Sequence, residues 1–90
     1  MDLFSVEILD RTVELAVDAM PPDQNPRVAA CVIAIREYIE SPNPLYERAL
    51  QRAVLELLEI ARLNCQFLIA ARLAPIARRL SEPGGQSGVA

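Results

Sequence analysis

The sequence predicts an all-α fold, an antiparallel helical bundle with two shorter N-terminal helices, one long helix and a short C-terminal helix. Three observations carry that prediction. Apolar residues recur at spacings of three and four along most of the chain, as one face of an amphipathic helix requires. Prolines and Asn-Pro steps interrupt the pattern at residues 21–26 and 42–44. The chain has 90 residues, 52% of them apolar, which is enough for one small domain with a marginal core of its own. That domain is assigned to residues 1–82, and the glycine-rich residues 83–90 are read as a flexible tail with little packing material.

The first helix is expected from Asp2 or Leu3 to Met20. Val6, Leu9, Val13, Val17 and Met20 form its apolar stripe, opposite Glu7, Arg11, Glu14 and Asp18. Pro21 and Pro22 stop it. Asn25 is a good N-cap for the second helix, because its side-chain oxygen can accept a free backbone N–H, and Pro26 fits the first turn without losing a donor. This helix runs to about Glu40. Only Arg27, Arg36, Glu37 and Glu40 clearly seek water along it, so it is expected to be the most enclosed.

Asn43-Pro44 repeats the Asn-Pro arrangement and opens the third helix, read as continuous from Pro44 to Ala74. Leu50, Val54, Leu57, Ala61, Asn64, Leu68 and Ala71 alternate four- and three-residue steps. Such a helix would be roughly 45 Å long at its usual rise. A monomer of ~100 residues has a radius of gyration of only about 13 Å, so the helix end would need a partner. Leu50, Val54, Leu57, Ala61, Asn64 and Leu68 are therefore assigned to a homodimer interface. Asn64 interrupts the stripe, either as a boundary residue reaching water or as an interhelical hydrogen-bonding group that selects register. Pro75 is expected to end or kink the helix, leaving Ile76 to Leu80 for a short terminal one.

No motif for chemistry accompanies these helices. The chain has no histidine, so a Cys–His pair is excluded within it, and Cys31 and Cys65 make a poor metal site. Both cysteines are read as small residues of a reduced core, with a disulfide between them as the alternative. Gly84, Gly85 and Gly88 lack the strand and lysine of a nucleotide loop, and no cofactor is expected. Asp2, Glu7 and Asp10 fall where a signal peptide would be basic and then apolar, and the longest apolar run, Val28 to Ile35, is too short to cross a bilayer. A soluble cytoplasmic protein without membrane association is expected.

Charge divides the chain. Residues 1–40 hold eight acids and three arginines, and residues 41–90 hold four acids and six arginines. Arg62, Arg72, Arg78 and Arg79 lie in a span without Asp or Glu and form the candidate anion-binding patch. The net charge of −3 opposes a close approach to nucleic acid.

The segments Leu9-Asp10-Arg11 and Ala16-Val17-Asp18-Ala19-Met20, a long helix, and Phe67-Leu68-Ile69 through Ala77-Arg78-Arg79-Leu80 together resemble the nodavirus RNA-silencing suppressors. With gaps, the resemblance covers most of residues 5–80. It implies a helical dimer that binds double-stranded RNA. The segment from Asn25 to Pro42 and the leucine-rich third helix depart from that pattern. The residues themselves favour a non-enzymatic homo-oligomeric interaction or adaptor protein with a second protein in a larger complex, and duplex RNA binding through the phosphate backbone is the alternative.

Overall fold

A computed structural model describes residues 6–81, so the expectations for the first five residues and for the tail lie outside the described residues. Four α-helices appear in chain order: α1 (Val6–Ala19), α2 (Pro26–Glu40), α3 (Glu47–Leu63) and α4 (Phe67–Ser81), with a 3₁₀ turn at Pro44–Tyr46 before α3. No strand occurs among the described residues, and the all-α bundle is as predicted. α3 packs on α2 and on α4, and α1 closes the ring by touching α2 and α4.

Two side-chain links fix the antiparallel order. Arg27, early in α2, meets Glu56 in the second half of α3 at 3.1 Å. Gln51, early in α3, donates to the hydroxyl of Ser81 at the end of α4, also at 3.1 Å. The Arg27–Glu56 pair is about half exposed and contributes at most about 1 kcal/mol. The stability therefore rests on the apolar interior.

Both Asn-Pro steps act as caps. The Asn25 side-chain oxygen accepts from the Arg27 backbone N–H at 3.1 Å, with Pro26 in the first turn of α2. The Asn43 oxygen accepts from the Leu45 N–H at 2.9 Å, but the element it opens is the 3₁₀ turn, and α3 starts only at Glu47. The core takes Leu9, Val13 and Ala16 from α1, Val28 and Ile35 from α2, Leu50, Val54, Leu57 and Ala61 from α3, and Ile69, Leu73 and Ile76 from α4. Thr12 is the one buried polar residue described, and its hydroxyl donates to the Ile8 carbonyl at 2.8 Å. α3, not α2, is the most enclosed helix, with seven buried residues against four. α3 packs extensively on both α2 and α4, whereas the contact of α2 with α1 is smaller.

The expected continuous helix from Pro44 to Ala74 is divided. α3 ends at Leu63, and the chain reverses through Asn64, Cys65 and Gln66. The Gln66 N–H donates to the Ala61 carbonyl at 2.8 Å and the Cys65 N–H to the Arg62 carbonyl at 3.1 Å. These two bonds, six-to-one and five-to-two, define a Schellman motif. Its left-handed position belongs to Cys65, with φ 59°, where glycine is usual. The Gln66 carbonyl then accepts from the Ala70 N–H at 3.0 Å and starts α4. Pro75 does not end the helix, because α4 runs on through it to Ser81. Burial of Ile76 and Ala77 beyond the proline offsets the one backbone bond it removes.

A left-handed residue with a Cβ costs about 1–2 kcal/mol, and glycine adds back part of that as unfolded-chain entropy. Cys65→Gly is accordingly expected to stabilise the fold by about 0.5–1 kcal/mol in urea denaturation. Cys65→Val should destabilise it, since a β-branched residue tolerates positive φ least.

Candidate interaction surface

The reversal at Asn64–Gln66 reassigns the predicted seam. Leu50, Val54, Leu57 and Ala61 are fully buried inside the single chain, where α2 and α4 cover the stripe. A seam between two chains through these residues would require the bundle to open. The radius of gyration is 12.8 Å, against about 12 Å expected for a chain of 90 residues packed on itself. Asn64 is exposed, as the reading of a boundary residue reaching water expects, but it is the C-cap of α3, and its Nδ2 donates to the Ile60 carbonyl of its own helix at 2.8 Å instead of to another helix. Leu68 is on the surface, 63% exposed.

Leu68 has company there. Leu63, the last residue of α3, is 68% exposed and Phe67, the first of α4, is 66% exposed. Three large apolar side chains thus flank one three-residue turn. Leu45 and Tyr46 are exposed in the 3₁₀ turn, and Ile8, Ile33 and Leu55 stand on separate helices. Scattered apolar residues are normal on a surface, but a cluster signals an interaction site. Leu63 and Phe67 lie inside the span that the sequence reads as one continuous helix, which hides their place at a turn. Two polar residues out of three at Asn64–Gln66 were the available signal.

Beside the turn is an open cleft lined by Ala19, Met20 and Pro21 from the end of α1, Gln24 and Asn25 from the connection to α2, and Asn64 and Gln66. This lining places the C-terminal end of α1 and the N-terminal end of α2 at the same pole of the bundle as the apolar turn. The cleft holds amides and no charged group, and Asn25 and Asn64 already use theirs to cap helices.

The four arginines are all exposed, yet they do not converge. Arg62 stands at the apolar pole, while Arg78 and Arg79 occupy the last turn of α4, at the opposite pole. There they complement the partial negative charge of the helix end. Arg72 shares a groove with Arg11, Glu14, Leu15 and Asp18, so α1 brings two carboxylates to it. The larger-scale charge division persists. Residues 6–40 hold seven acids and three arginines, and residues 41–81 three acids and six arginines.

Cys31 and Cys65 are unpaired, and only Cys31 is in the core. The exposed position of Cys65 corrects its assignment to the interior, and the reason is again the turn. Burial pushes the Cys31 thiol up to about 11, the Glu56 carboxylate adding to the rise and Arg27 opposing it. It is therefore protonated and unreactive at neutral pH. Among the described residues no three His, Cys, Asp or Glu side chains group as metal ligands would, and no buried side-chain polar atom lacks a partner. No helix described is long and apolar enough to cross a membrane.

Fold and surface define the class as a small all-α four-helix bundle with an exposed apolar pole. Comparison with protein-family models, curated proteins and solved structures gave no match.

Proposed function

We infer that the chain is a non-enzymatic helical interaction module that acts in the cytoplasm as a homo-oligomer and supports a larger complex. The observation that carries this reading is the apolar cluster of Leu63, Phe67 and Leu68 on a bundle whose core is already closed. Residues of this size at a surface are stabilised by a partner that removes them from water, at about 25 cal/mol per Å² of apolar area. Two unpaired thiols suit a reducing compartment.

Duplex RNA binding is the second reading, and what favours it is the basic excess of α3 and α4, with Arg48, Arg52, Arg62 and Arg78 all exposed. Size-exclusion chromatography with light scattering, run alone and with a short RNA duplex, separates the two. The module reading expects a mass above the monomer at high micromolar concentration, unchanged by RNA. A folded monomer at that concentration would refute it. The RNA reading expects co-elution at low salt that fades steeply as salt rises, because arginines displace counterions from phosphates. It also expects Arg78→Gln with Arg79→Gln to weaken binding without altering helix content.

A further inference from the structure

Taking the homo-oligomeric reading as its basis, we propose that the α3–α4 turn pairs with the same turn of a second copy across a two-fold axis. The centre of the contact is apolar and self-complementary, since Leu63, Phe67 and Leu68 of each copy can cover their counterparts. An isologous interface of this kind asks each surface to contain both halves of every polar pair. This pole does. Arg62 is exposed at the end of α3 and has no ion pair among the described residues. Asp23, in the connection between α1 and α2, is exposed next to the residues that line the cleft at this pole, and Asp18, near the end of α1, is exposed in the groove it shares with Arg11 and Arg72. In the proposed pair, Arg62 of one copy faces Asp18 and Asp23 of the other.

The alternatives fit less well. An anionic membrane surface would take the apolar residues and Arg62 but would be repelled by Asp18 and Asp23. A phosphate backbone would leave the apolar residues uncovered.

The turn is also built to keep its shape. The two Schellman bonds and the Asn64 cap hold α3 closed, and Ile69 and Ala70 anchor the start of α4 in the core. The cluster therefore loses little conformational freedom on pairing, which is where many small interfaces lose affinity. Three side chains supply less than the ~800 Å² per partner of a standard interface, so the pairing is concentration-dependent.

Sedimentation equilibrium of the full chain with three variants tests the pairing. Leu68→Asp alters an exposed residue, so it should keep the helical content of the wild type while raising the dissociation constant at least about tenfold, as loss of a central anchor does. Arg62→Glu, and the double variant Asp18→Arg with Asp23→Arg, should each self-associate poorly, because like charges then meet across the axis. Mixed one to one, they should form a heterodimer that neither forms alone. A bismaleimide should join Cys65 to Cys65 in the wild type, and Cys65→Ser should abolish the product.

A wild-type chain that is monomeric throughout overturns both the homo-oligomeric reading and this pairing. A wild-type oligomer that Leu68→Asp leaves intact overturns the pairing alone. So does a mixture of the charge variants that associates no better than its components.

Discussion

Leu57→Asp is expected to abolish the folded state rather than to release a folded monomer. Leu57 is fully buried midway along α3, the helix covered on both sides by α2 and α4. Removing its branched side chain costs about 2–5 kcal/mol in transfer and cavity terms. A buried unpaired carboxylate adds several more, whether it stays charged or takes up a proton to become neutral. Stability in domains of this size is roughly 0.05–0.15 kcal/mol per residue, so the combined loss matches or exceeds the total. Far-UV circular dichroism of the purified variant should show the helical signal lost at 25 °C. Leu57→Ala should keep it, with a lowered urea midpoint. A Leu57→Asp protein that keeps wild-type helicity as a monomer would show that this residue faces a partner chain instead of the core.

Pro75→Ala is expected to raise stability by about 2 kcal/mol. Proline inside a helix is about 3 kcal/mol worse than alanine, and the stiffer unfolded chain it produces returns about 0.4–1 kcal/mol. Position 75 lies well inside α4, and its exposed ring leaves no core contact to lose. An alanine N–H there could also donate to the Ala71 carbonyl. For a chain of this length, the gain corresponds to a rise of roughly 10 °C in the thermal midpoint. An unchanged or lower midpoint would mean that the proline itself is needed to seat Ile76 and Ala77 in the core.

Much of the fold was legible from local signals. Asn25 with Pro26 and Asn43 with Pro44 mark their starts by side-chain chemistry, and both caps form. Leu9, Val13 and Met20 of the first stripe and Leu50, Val54, Leu57 and Ala61 of the third are buried as their spacing implies, whereas Val6 is exposed and Val17 half-buried. The division between α3 and α4 was not legible. A Schellman turn is made from backbone N–H and carbonyl groups, and here its left-handed position carries cysteine, so no glycine announces it. The four-three pattern continues through the turn into Leu68 and Ala71 and imitates one helix. Pro75 misleads in the opposite sense, since it resembles a stop where tertiary burial keeps the helix going.

The candidate surface follows the same division. The sequence by itself determined that this chain is helical, which residues are amphipathic partners along each helix, and that its acids and arginines are segregated along the chain. Only the tertiary structure decided who covers the long stripe. Helical periodicity specifies a face but not its occupant. Once the chain reverses at Cys65, α4 can pack on α3, so Leu50, Val54, Leu57 and Ala61 are covered within one molecule. The same reversal leaves Leu63, Phe67 and Leu68 exposed on either side of the turn.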